Sequence, residues 1–298
     1  MSIQTFGQTS TNLTGQWDFN QGDLKATVGT DMQFLGDTAT STTFQTVEVN
    51  GANGNVMGFP AATATEGYLV FHGAKPNGGG TNVNVYTLVM DLLWPAATSD
   101  ATFRALYNTD TNNQQDAVMF VNPDNAVGVN NDYAGEMLPD TWYRLALVVN
   151  LNDTNSTIAK YLNGSLAGIQ TLDANSIDSR FSLGPAFLLF TDSLEETAPG
   201  LVDRVQIYSG ALTDTQVAAL GLPLGDGGPP VGGDVKIDSI EKVGDNVVIK
   251  ASGGGTLQLV RKDKLTDAKW QDVGQPSSSG TFTTPAIGAT GFFRVRRS

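Results

Sequence analysis

Residues 142–164, WYRLALVVNLNDTNSTIAKYLNG, decide the fold. In the first ten, Tyr143, Leu145, Leu147 and Val149 fall on one face of an extended strand, and Arg144, Ala146, Val148 and Asn150 on the other. NDTN is a cluster of turn residues, and STIAKYL is a second run suited to a strand. Asn163-Gly164 supplies the positive-φ pair that a tight hairpin turn needs. Strand, turn, strand, turn predicts an antiparallel sheet.

The same grammar extends outward on both sides. YLVFHG (68–73), YTLVMDLLW (86–94), ATFRALYN (101–108), DAVMFVN (116–122), FLLFTD (187–192) and LVDRVQIYS (201–209) are apolar and rich in β-branched or aromatic residues, with turn clusters between them. Many short strands at this spacing predict an all-β protein, an antiparallel β-sandwich jelly roll. One helix is expected, TDTQVAALG (213–221). Thr213 and Gln216 would form a capping box, and Gly221 would end it.

The domain boundaries follow from composition. The jelly roll is placed at 1–222, a Gly/Pro linker at 223–233 and a small β module at 234–298. In that module VKIDSIEKV, NVVIKAS, TLQLVRKD, KWQDVG and FFRVRR predict five short strands.

Composition excludes several classes of chemistry. The chain has no cysteine, so it has no disulfide framework, no thiolate metal site and no cysteine nucleophile. Residues 1–222 carry 7 basic and 22 acidic groups, whereas 234–298 carry 10 basic and 7 acidic. The acidic part repels nucleic acid and anionic lipid and suits cations or neutral partners. No apolar run approaches the ~20 residues needed to span a bilayer, so membrane insertion is not expected. The first residues, MSIQTFGQTSTNLTGQW, lack a basic-then-apolar leader pattern. The expectation is a cytoplasmic chain or one whose leader has been removed.

Three constellations are candidates for chemistry. The stretch FHGAKPNGGGTNVNVYTLVMD (71–91) holds the chain's one histidine and three consecutive glycines. Gly78-Gly79-Gly80 can bring backbone N–H groups together as an anion nest. No Gly-Lys-Ser/Thr follows, so it is not a phosphate loop. The favoured expectation is a structural turn. The alternative makes His72 a general base or ligand contact, with Asn77 or Asn84 orienting a substrate. The loop DTNNQQD (110–116) offers Asp110 and Asp116 as oxygen donors of the kind calcium takes, without EF-hand spacing. In VNNDYAGEML (129–138), Tyr133 is the candidate exposed platform for a sugar ring, with Asp132 beside it. No Gly-x-Ser-x-Gly nucleophile elbow is present.

The 142–168 stretch, Trp then an alternating strand, a hairpin and a strand ending in Asn-Gly, resembles laminin-G-like, or concanavalin A-like, jelly-roll domains. GQWDFNQGDLKATVGTDMQFLGD (15–37) resembles the opening strand of that fold, and LVDRVQIYSGALTDTQVAALG (201–221) its closing strand and trailing helix. HGAKPNGGGTNVNVYTLVMDL, NTDTNNQQDAVMFVNP and LLFTDSLEETAPGLVDRV resemble a bacterial subgroup. The resemblance covers about residues 13–221. It implies a structural calcium near the first and last strands, which in this chain points to Asp18, Asp23 and Asp203, with Asp192, Glu195 or Glu196 as further donors. The Glu-x-Asp-x-x-Glu run of concanavalin A-like glucanases is absent. The C-terminal module resembles small β-sandwich tails of bacterial secreted or surface proteins, which implies an extracellular setting.

Together these imply an extracellular, lectin-like protein that binds a polysaccharide or cell-surface glycan and holds a structural calcium. The alternative is a hydrolase of glycan or phosphoester bonds using His72, nearby carboxylates and a metal. A third reading is a spacer or adhesion domain.

Overall fold

In the computed structural model, which describes residues 12–99, 101–225, 236–252, 257–262, 270–277, 280–285 and 292–297, the 142–164 stretch is a hairpin. Tyr143–Asn150 pairs antiparallel with Thr157–Leu162. Asn163 and Gly164 turn the chain into Ser165–Thr171 with φ of 52° and 81°.

Two antiparallel sheets face each other in the larger unit. The eight-stranded sheet runs Ser165–Thr171, Thr157–Leu162, Tyr143–Asn150, Val85–Leu93, Gly200–Tyr208, Ala52–Phe59, Thr43–Val49, and Leu13–Trp17 also pairs with Gly200–Tyr208. The seven-stranded sheet runs Asp132–Ala134, Val127–Val129, Met119–Val121, Arg104–Asn108, Phe187–Leu189, Gly67–Val70, Gln33–Leu35. First and last strands of the domain are therefore neighbours, as a jelly roll requires. The core lies between the sheets. Leu145, Leu147 and Val149 meet Leu88, Met90, Val202, Val205 and Ile207 on one side and Tyr68, Val70, Val121 and Phe187 on the other. The hydroxyls of Tyr86 and Tyr107 meet across the gap at 2.9 Å, and Tyr86 donates to the Phe181 carbonyl at 2.7 Å. Buried tyrosines need such partners, because an unmade bond there costs about 1–3 kcal/mol.

The outward face of the eight-stranded sheet carries a polar layer that is nonetheless buried. Asp203 is an extra residue between the pairs Val202↔Leu92 and Arg204↔Asp91. This bulge lets Val202 and Val205 both face the core while Asp203 and Arg204 turn outward. There they join Asp91, Arg144, Gln206 and Gln16, all at most 1% exposed. Arg144 grips Asp91 with two hydrogen bonds, Nε–Oδ1 at 2.7 Å and Nη2–Oδ2 at 2.6 Å. The chain after Tyr208 lies across this layer. Thr87 Oγ1 donates to the Gly210 carbonyl and accepts the Leu212 N–H, and Arg144 Nη1 donates to the Leu220 carbonyl. The helix there is Asp214–Leu220, with the expected Thr213–Gln216 capping box and Gly221 at φ 67°. It buries Val217 and Leu220.

Several strands are shorter than the apolar runs suggest. Met119–Val121 stands for 116–122, and Phe187–Leu189 for 187–192. The surplus residues go into loops because Asp192, inside the second run, accepts the N–H groups of Ala117 and Leu194 at 2.7 and 2.8 Å. A carboxylate that caps backbone donors ends a ladder.

The chain divides into Met1–Gly227 and Gly228–Ser298. Pro223 is tied to the larger unit by Asn50 Nδ2 at 3.0 Å, while 226–233 of the expected linker lies outside the described residues. The smaller unit has two three-stranded sheets: Lys236–Val243, Asn246–Ser252, Thr281–Pro285, and Gln271–Ser277, Leu257–Lys262, Phe292–Arg297. Its core is Ile249, Leu257, Leu259, Phe282 and Val295. The sequence predicts five strands here and misses Thr281–Pro285, whose threonines read as turn as easily as strand. Among the described residues no helix is long and apolar enough to cross a membrane.

Candidate functional site

The glycine loop is a nest, and its anion is the protein's own. Asp178 accepts the Thr81 N–H at 2.7 Å, the Thr81 hydroxyl at 2.8 Å, and the Asn82 N–H and Asn84 Nδ2 at 2.9 Å. The backbone bond to Thr81, then the others, hold its carboxyl far below the usual carboxylate range. Gly78 and Gly79 take φ of 68° and 99° to aim the donors. Asn77 and Asn84, expected to orient a substrate, serve the loop instead. Asn77 Oδ1 accepts the N–H groups of Asn84 and Val85, and Asn84 is fully buried.

His72 is equally committed. It is 1% exposed. The Ala74 N–H donates to Nδ1 at 3.1 Å, so the ring proton sits on Nε2 and is donated to the Gly184 carbonyl. Burial lowers its pKa, partly opposed by the bond to Gly184. A neutral ring with both nitrogens engaged is a latch between two loops, with neither nitrogen available to a substrate.

The six aspartates expected as calcium ligands do not gather at one place. Asp110 caps its own turn, accepting the N–H groups of Asn112 and Gln114, both at 3.0 Å. Asp192 does the same for Ala117 and Leu194, and Asp116 takes the Ser193 hydroxyl at 3.4 Å. Asp23 pairs with Lys25 at 2.8 Å on the surface. Asp18 accepts the Thr27 hydroxyl and the Asn20 N–H. Asp203 differs from all of these: it is fully buried, and neither carboxylate oxygen has a hydrogen-bond partner. Burial, then the charge of Asp91, raises its pKa to about 7; Arg204 and Arg144 pull the other way, and Asp18 adds to the rise. Asn20 Oδ1 is a further buried acceptor without a donor. Oxygens of this kind fit a hard cation at Asp203. Asp23, Asp110, Asp116 and Asp192 do not converge there, and among the described residues no three His, Cys, Asp or Glu side chains gather to hold a metal.

An aromatic group lies on the outward face of the seven-stranded sheet. Tyr107 points into the core, so strand alternation turns Phe120 and Tyr133 outward, with Gly128 between them in register. Gly128 contributes no side chain, and Phe103 closes over the gap, 6.0 Å from Phe120 and 6.4 Å from Tyr133 between ring centroids. Phe103 and Tyr133 remain part-exposed and pack on Phe120, which is buried. Glu196 arrives from the loop whose carbonyl accepts the Ala105 N–H at 2.9 Å. Its pKa is raised by burial and then by the charges of Asp192 and Asp116, and its own charge adds to the burial that raises the Tyr133 hydroxyl. Asp132, on the inward side of the same strand, accepts Lys160 Nζ at 2.7 Å. Sequence reasoning singles out Tyr133 but misses Phe103 and Phe120, because cross-strand neighbours are not neighbours in sequence.

Residues 83–218 match the family model Laminin_G_3, described as the concanavalin A-like lectin/glucanases superfamily. No curated protein matches the chain. Among solved structures, domain 4 of AbnA, a GH43 extracellular arabinanase from Geobacillus stearothermophilus in complex with arabinotriose, is similar at 18% identity and a TM-score of 0.45, over 71% of this chain and 99% of that one. The binding domain of botulinum neurotoxin DC, in complex with rat synaptotagmin II, is similar at 10% identity and a TM-score of 0.47, over 94% and 73%. The chain carries a laminin-G-like jelly-roll domain of the concanavalin A-like superfamily over residues 83–218.

Proposed function

We propose that the larger unit is a non-catalytic carbohydrate-binding domain and that its site is the outward face around Tyr133. The observation that carries this is the part-exposed pair Phe103 and Tyr133, set on the buried Phe120, beside Glu196. Aromatic rings offer flat apolar surface to the faces of sugar rings, and a neighbouring carboxylate accepts hydrogen bonds from hydroxyls. The match to a superfamily of lectins and glucanases supports carbohydrate as the ligand class. A polysaccharide or cell-surface glycan is the partner in this reading, and an extracellular setting goes with it. A hydrolytic role for His72 is not part of it, since both ring nitrogens are engaged inside the fold.

A structural calcium ion at Asp203 belongs to the same proposal. What supports it is the pair of buried, unpartnered carboxylate oxygens, with Asp18 near enough to shift their titration.

The test is retention of the purified chain on insoluble and immobilised neutral polysaccharides, with calcium and with chelator. The expected result is retention without released product, lost in Tyr133→Ala at an unchanged melting temperature. No retention on any polymer, or retention indifferent to Tyr133→Ala, overturns the assignment.

A further inference from the structure

The smaller unit has a face that the carbohydrate site does not use. In the sheet of Gln271–Ser277, Leu257–Lys262 and Phe292–Arg297, Leu257, Leu259 and Val295 point into the core. Alternation puts Gln258, Val260 and Lys262 on the other face. Their register partners there are Arg296, Arg294 and Phe292, with Asp272 opposite Val260 on the far side. Lys262 Nζ lies 5.2 Å from the ring centroid of Trp270. Phe292 is 37% exposed, Arg294 is exposed, and Arg296, paired with Asp272 at 2.9 Å, keeps 48% of its side chain in solvent. Val260, at the centre of this face, is 2% exposed.

Among the described residues this outward face therefore carries three cations and one carboxylate, with two aromatic rings. It belongs to the part of the chain that is net positive, 10 basic against 7 acidic groups over 234–298, whereas residues 1–222 carry 7 basic against 22 acidic. We infer that this face binds an acidic polysaccharide, one bearing carboxylate or sulfate groups. The occupant follows from charge complementarity: Lys262, Arg294 and Arg296 meet the anionic groups, and Trp270 and Phe292 lie under sugar rings. The choice of a carbohydrate over another polyanion rests on the reading of the larger unit as a carbohydrate binder. The two sites divide the work, one for uncharged sugar surface and one for anchoring by charge.

The experiment uses the full chain on immobilised polygalacturonate, dextran sulfate, neutral dextran and single-stranded DNA, over a salt series. Lys262→Glu and Arg294→Glu are compared with Lys242→Glu, the same charge change on an exposed residue of the other sheet. The expected result is retention on one or both acidic polysaccharides that weakens with salt and falls about tenfold or more in Lys262→Glu and Arg294→Glu. Lys242→Glu keeps wild-type retention, and so does Tyr133→Ala, whose loss is confined to neutral polymers. Retention on carboxylated but not sulfated polymer, or the reverse, assigns the anion. An equal loss in Lys242→Glu, wild-type chain that passes through both acidic polymers, or retention on DNA alone overturns the inference. Failure of neutral polymers alone overturns only the site at Tyr133.

Discussion

Gly80 and Asp178 compete for the same space: a Cβ on Gly80 would lie 2.2 Å from Asp178 Oδ1. The carboxylate cannot swing away, because four donors from Thr81, Asn82 and Asn84 hold it. Gly80→Ala is therefore expected to lower the melting temperature by several degrees, and Asp178→Ala to do the same by releasing the donors. Thermal denaturation checks both. A melting curve unchanged in the two variants would mean that the nest is decoration. The depressed carboxyl of Asp178 adds stability above its unfolded pKa of 3.8 that is lost only as pH falls through the folded value.

Arg144 and Asp91 are each 1% exposed, so neither tolerates loss of the other. Arg144→Ala leaves a buried carboxylate and is expected to cost about 3–5 kcal/mol, read from urea midpoints. The double change Asp91→Leu with Arg144→Met recovers most of that, since a buried ion pair stabilises little over a well-packed apolar pair. A double variant as unstable as the single one would show that the segment after Tyr208 depends on Arg144 for more than neutralising Asp91.

Asp203 makes stability fall as pH rises. Its folded pKa, about 7, lies above the unfolded value of 3.8, so between them the folded chain holds a proton that the unfolded chain has released. The window is worth at most ~4 kcal/mol. In chelator, the stability of the wild type relative to Asp203→Asn is expected to fall from pH 4 to pH 7. Calcium favours the ionised carboxylate, so at millimolar calcium the wild type should gain melting temperature at pH 7 and Asp203→Asn should not. Identical calcium responses in the two proteins would remove the ion from Asp203.

His72→Ala deletes two hydrogen bonds and a ring packed near Phe187. The expected loss is about 2–4 kcal/mol of folding stability with carbohydrate retention intact. Its lowered pKa means that the unfolded chain binds the proton more readily, so the stability of the wild type relative to His72→Ala should decline as pH drops below about 6.5. Lost retention at an unchanged melting curve would make His72 a ligand contact.

Local windows of sequence determined a good deal of this protein. The 142–164 hairpin, its Asn163-Gly164 turn and the capped helix at 214–220 depend on side-chain period and turn chemistry within a few residues, and both are legible without a fold. The nest-forming glycines were legible too, as a conformational capacity. What filled the nest was not, because Asp178 lies 94 residues from Asn84. The polar layer behind LVDRVQIYS was hidden for a different reason: a bulge at Asp203 breaks the strict alternation on which face assignment rests. The aromatic group at Tyr133 required the register of three strands and a glycine between two rings. Tertiary structure alone decided which polar groups found partners, since a donor or acceptor far along the chain comes within hydrogen-bonding distance only once the sheets have closed on each other.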